Sequence, residues 1–167
     1  SCPADWPCSR PARHGWRAPN VPSHSEIREL PYSAEQMYAV VADVERYPEF
    51  LPWCLSVRVL SRGRDGDADV LTAEMLVGYH GVRERYVSQV TLDKNARTIE
   101  AVHIQGPFER LTNRWRFEKL AKGCRINFFI DFAFKNWLLS ALAGIAFERT
   151  VMRMADAFVE RARALYG

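Results

Sequence analysis

A chain of 167 residues is long enough for one domain with a core of ordinary size. Its composition, 48% hydrophobic and 26% charged, is that of a globular protein rather than a disordered or fibrous one. A net charge of +3 is too small to define a DNA binder, and the longest apolar run, "WLLSALAGIAF" at 137–147, falls far short of the roughly 20 residues a bilayer requires.

Residues 1–22 stand apart. They carry Pro3, Pro7, Pro11, Pro19 and Pro22, and only Asp5 opposes Arg10, Arg13 and Arg17. This composition predicts a disordered extension outside a domain at 23–167. The arginines resemble those of a transit peptide, but the prolines oppose the amphipathic helix such a peptide needs. An overlong start or an appended tail is the other reading. "SCPADWPCSRP" lacks the apolar core of a secretory signal. Cys2, Cys8, Cys54 and Cys124 match no zinc or CxxC spacing, so Cys54 and Cys124 read as buried thiols of a reducing compartment.

"HSEIREL" (24–30) alternates and predicts a strand that Pro31 ends. Ser33 with Gln36 forms a capping box for a helix through "AEQMYAVVADV", with Met37, Val40, Val41 and Val44 on one face. In "RYPEFLPWC" (46–54), Pro48 and Pro52 permit only short helical turns. Five or six strands follow in series, with turn signals at Gly63–Gly66, Gly81, Gly106–Pro107 and Lys122–Gly123. Connections this short predict an antiparallel meander. The inward series includes Leu71, Ala73, Met75 and Val77, then Leu111, Trp115 and Phe117, then Cys124, Ile126, Phe128, Ile130 and Phe132. One long helix is expected over about 136–165, capped by Asn136, with a stripe of Phe147, Val151, Met154, Phe158, Ala162 and Leu165. A sheet with one apolar face needs a cover, and only this helix has the length to cross it. The fold class is therefore α+β, a curved antiparallel sheet wrapped around a long C-terminal helix.

Three stretches carry a resemblance: "PYSAEQMY" (31–38), "VADVERYPEFLPWC" (41–54) and "LTNRWRF" (111–117). On these the chain from 24 to 166 resembles the START-like, helix-grip superfamily of polyketide cyclases and lipid-transport proteins. Within it, the chain is similar to the coenzyme Q-binding proteins and their bacterial relatives, the ribosome-association toxins. The resemblance implies an apolar cavity for a polyprenyl quinone such as ubiquinone, no catalytic cofactor and no enzymatic step. It implies a cytoplasmic protein in peripheral contact with the inner membrane or its respiratory and quinone-biosynthesis proteins. The large ribosomal subunit is the alternative partner, and a polyketide aromatase/cyclase the third reading.

The cavity expected on this basis has a rim formed by Tyr47, Pro48, Phe50, Leu51, Pro52 and Trp53, read as an apolar flap. Its walls are Met75, Val77, Trp115, Phe117, Phe128, Ile130, Phe147, Val151 and Met154. The competing reading of every wall residue is ordinary core. Glu84 and Arg85 read as an outer, solvated face, with a polar contact to a quinone carbonyl as the alternative. His80 and His103 read as exposed or hydrogen-bonded strand residues without metal spacing. Trp137, Leu138 and Leu139 open the last helix and suit either a membrane interface, with Lys135 and Arg149 near headgroups, or packing on the sheet edge.

Overall fold

The computed structural model describes residues 23–79 and 81–167, apart from side-chain placement at 79, 142–144 and 147. The expected extension at 1–22, His80 and the Phe147 side chain lie outside these described residues.

Strand β1 (Ser23–Leu30) leads into helix α1 (Ala34–Ala42) and a 3-10 turn over Val44–Glu49. Six strands follow as a meander: β2 (Cys54–Asp65), β3 (Ala68–Tyr79), β4 (Val82–Asp93), β5 (Thr98–Gln105), β6 (Phe108–Lys119) and β7 (Cys124–Phe134). All seven pair antiparallel in one sheet of order β1-β7-β6-β5-β4-β3-β2. Because β1 lies beside β7, the link carrying α1 must return the chain from one edge of the sheet to the other.

Local chemistry explains the start. The Ser33 side chain accepts from the Gln36 N–H at 3.0 Å, and Gln36 Oε1 accepts from the Ser33 N–H at 2.9 Å. Such a cap stabilises a helix by about 1 kcal/mol. Met37, Val40, Val41 and Val44 are all buried, as their spacing predicts. β7 buries Cys124, Ile126, Phe128, Ile130 and Phe132 in strict alternation.

Three expectations change. β2 runs through Gly63, paired with Val70, and the turn falls at Gly66, where φ is +60°. A turn glycine needs the left-handed region, and Gly63 does not use it. The C-terminal helix is not continuous: α2 (Trp137–Met152) ends at Arg153, and α3 (Met154–Tyr166) begins after it. The Arg153 N–H bonds back to Thr150 O and Val151 O rather than continuing the ladder. Thr150 Oγ1 also donates to Ala146 O at 2.9 Å, a back-bond that bends helices. Finally, Leu165 of the expected stripe is 52% exposed, while the neighbouring Tyr166 ring meets Tyr32 at 6.3 Å.

At the β7 end of the sheet, Gly123 has φ +83°, and a Cβ there would sit 1.9 Å from the Leu30 carbonyl oxygen. Only glycine allows the β6–β7 turn to pass this close to the end of β1.

Candidate functional site: an apolar cavity between sheet and helices

The concave face of the sheet and the two C-terminal helices enclose a cavity of about 200 Å³. The segment after α1 contributes Val44, Tyr47, Leu51 and Trp53. β3 contributes Ala73, Met75, Val77 and Gly78, and β4 contributes Val82, Glu84, Tyr86, Ser88 and Val90. Ile99, Ala101, Pro107, Phe108, Leu111, Asn113, Trp115, Ile130 and Phe134 complete the sheet side. Leu139, Ala146, Thr150 and Val151 of α2 and Met154 and Phe158 of α3 close it.

The expected residues divide. Tyr47, Leu51, Trp53, Met75, Val77, Trp115, Ile130, Val151 and Met154 stand on the cavity. Pro48, Phe50, Pro52, Phe117 and Phe128 do not. Pro52 is exposed, and Pro48, half-buried, sits within the 3-10 turn. Phe117 is buried under α1, with its ring edge-on to Tyr38 at 5.9 Å. Phe128 packs on Trp115 at 4.5 Å and is not part of the cavity lining. Phe50 turns toward α3: its ring meets Phe158 at 5.3 Å, and the Arg161 guanidinium lies 5.2 Å over its centroid. Arg161 in turn pairs with Glu49 at 2.7 Å. The segment read as a flap is thus fastened to α3 by aromatic, cation–π and ionic contacts. The Tyr47 hydroxyl also donates to Val41 O.

Sequence reasoning missed several lining residues. Glu84, for which the cavity is the second sequence reading, and Ser88, which the sequence reading passes over, belong to the same inward series as Val82, Tyr86 and Val90, so strand parity was the available signal. Arg85 is on the outer face, where it pairs with Glu74 at 3.2 Å. Phe108 breaks parity with Leu111 because a β-bulge lies between Phe108 and Arg110.

Most polar atoms on the cavity wall are engaged. Trp115 Nε1 donates to Asn113 Oδ1 at 2.7 Å, and the Tyr86 hydroxyl lies 3.0 Å from the Met75 sulfur. Burial raises the Tyr47 and Tyr86 phenols above their ordinary range, so both stay protonated. Burial also pushes the Cys54 thiol up to about 12, which leaves it a poor nucleophile at neutral pH. His103 is half-buried and hydrogen-bonds the Gln105 backbone, in keeping with its reading as a hydrogen-bonded strand residue. Its ring meets Phe108 edge-on at 5.6 Å, and its Nε2 is buried without a hydrogen-bond partner. Among the described residues, no group of three or more His, Cys, Asp or Glu is arranged to hold a metal.

An antiparallel sheet closed by C-terminal helices over an apolar pocket defines the helix-grip class. Residues 30–159 match the family described as polyketide cyclase/dehydrase and lipid transport, and the chain belongs to it. It is 35% identical over 147 residues to the ribosome association toxin RatA of Escherichia coli K12, covering 87% of this chain and 90% of that one. It is 38% identical over 149 residues to the mitochondrial coenzyme Q-binding protein COQ10 homolog B of Xenopus laevis, covering 86% of this chain but 59% of that one. The solution structure of protein CC1736 from Caulobacter crescentus superposes with a TM-score of 0.71 at 36% identity, covering 87% of this chain and 98% of that one.

Proposed function

We propose that residues 23–167 form a non-enzymatic lipid-binding domain that holds a polyprenyl quinone, ubiquinone, in this cavity. The observation that carries the reading is the lining itself: a nearly continuous apolar wall with its polar atoms mostly satisfied within the protein. Such a surface suits an isoprenoid and offers little machinery for acid–base chemistry. The name of the frog relative supports the same ligand. At about 200 Å³ the enclosed space is below the roughly 300–1,000 Å³ of drug-sized sites, so it takes the ring and the first part of the tail, and the rest extends outside.

Contact with an anionic membrane surface belongs to this reading. The outer side of α2 exposes Trp137 at 80% and Ile145 at 67%, with Leu138 and Met152 also exposed. Lys135, Arg149 and Arg153 are exposed along the same stretch, against the single acid Glu148. Among the described residues, no helix is long and apolar enough to cross a membrane.

The test is mass spectrometry of a solvent extract of protein purified from a quinone-producing cell. A stoichiometric polyprenyl quinone is expected. An empty extract, with no binding on titration, would remove the reading. A second reading, association with the large ribosomal subunit, has the name of the Escherichia coli relative in its favour. Co-sedimentation with ribosomes at moderate salt decides it.

A further inference from the structure

The cavity has one charged side chain among its described lining residues, Glu84. It sits mid-series on β4, opposite Val77 of β3, with Val82 and Tyr86 on either side of it on the inward face. The neighbouring arginines offer no relief. Arg83 and Arg85 are exposed on the other face, and Arg85 is committed to Glu74. Among the described residues Glu84 makes no hydrogen bond or ion pair. Of the remaining polar groups on the wall, Asn113, Tyr47, Tyr86 and Thr150 are engaged within the protein. Ser88, 6% exposed, and the indole N–H of Trp53 have no partner among the described residues.

These free groups have a definite complementarity. An ionised carboxylate only accepts hydrogen bonds, a hydroxyl does both, and an indole N–H only donates. A ligand carbonyl brings Glu84 only lone pairs, which a carboxylate cannot use. A ligand hydroxyl can donate to Glu84 while its oxygen accepts from a neighbour. Hydrogen bonds to charged groups are the stronger kind, and Glu84, half-buried on the cavity wall, has no such partner among the described residues.

We infer that Glu84 forms a polar subsite for a ring hydroxyl, so that the cavity takes the reduced, hydroquinone form or a phenolic ring in preference to the oxidised quinone. The preference rests on the proposed quinone reading for its redox pair, though not for its phenolic arm. The ligand's hydroxyl proton stays on the ligand, and no electron moves.

The experiment is an anaerobic titration of the full chain with a short-tailed ubiquinone analogue, oxidised and reduced, followed by tryptophan fluorescence. An alkylphenol and its methyl ether form a second pair. The reduced form and the free phenol are expected to bind about tenfold more tightly than their partners. In Glu84→Gln, whose circular dichroism checks the fold, both ratios should fall toward one while the oxidised quinone still binds. Equal affinities in the unsubstituted protein, or ratios that survive Glu84→Gln, would overturn the subsite. If neither quinone form binds, the quinone reading fails, and the phenol pair alone then supports or overturns the subsite.

Discussion

The phenol ring of Tyr47, in the segment after α1, meets the ring of Phe158 on α3 edge-on at a centroid distance of 5.2 Å. Phe50 closes a triangle with them, 5.8 Å from Tyr47 and 5.3 Å from Phe158, and all three contacts are edge-to-face. Three mutually edge-on rings place positive ring edges on negative faces throughout. This explains the apolar density of "RYPEFLPWC": it anchors the C-terminal helix as well as lining the cavity. Phe158→Ala should therefore lower stability by about 3–5 kcal/mol, as loss of a fully buried aromatic does. Tyr47→Phe, which keeps the ring and loses the bond to Val41 O, should cost about 1 kcal/mol. Urea midpoints of the two variants measure the difference, and equal losses would contradict the triangle as the anchor.

Gly123 offers a sharper local test. A methyl group there would collide with the Leu30 carbonyl and demand a left-handed backbone from alanine. Gly123→Ala should destabilise by at least about 2 kcal/mol. Gly63→Ala, where nothing lies within 4 Å, should stay within about 0.5 kcal/mol. Thermal melts of both check the contrast.

His103 should make stability depend on mild acid. Burial, with repulsion from Lys135, holds its imidazole below the ordinary 6.5, and a backbone bond to Gln105 only partly opposes this. With a depressed folded value, the unfolded chain binds more protons just below that point. The stabilisation is complete above 6.5 and is lost as pH falls through the folded value. Urea midpoints at about pH 7.5 and about pH 5.5 should show a fall that His103→Gln reduces. An identical fall in the variant would assign the effect elsewhere.

The exposed side of α2 predicts lipid binding that can be removed without harm to the fold. Trp137→Ser with Ile145→Ser changes two residues exposed at 80% and 67%. Stability should change little, while co-sedimentation with anionic vesicles should drop about tenfold or more, given the apolar area each residue could bury. Undiminished binding would reject this face.

Strand alternation and the Ser33–Gln36 cap were legible because each depends on neighbours a few residues away. What lies opposite an inward side chain was not. Phe117, Phe128 and Ile130 share one face by parity, yet Tyr38 covers Phe117, Trp115 packs on Phe128, and Ile130 borders open space. The bulge before Arg110 and the break at Arg153 were hidden for a related reason. Each is a backbone irregularity within a sequence whose periodicity continues on both sides. Glu84 was misread because a charge in an alternating strand is usually outward, and its parity was outweighed by its chemistry.

The break at Arg153 separates two helices whose duties overlap. α3 buries Ala155, Phe158 and Ala162, and through them it keeps the protein folded. α2 presents Leu139, Ala146 and Thr150 to the cavity half-buried, while its Val151 and Phe158 of α3 line the cavity and belong to the core at once. Substitutions at Leu139, Ala146 and Thr150 can therefore reshape the pocket at smaller cost to stability than those at Val151 or Phe158. The shape of the cavity and the strength of the core are thus set by overlapping but separable positions on the two helices.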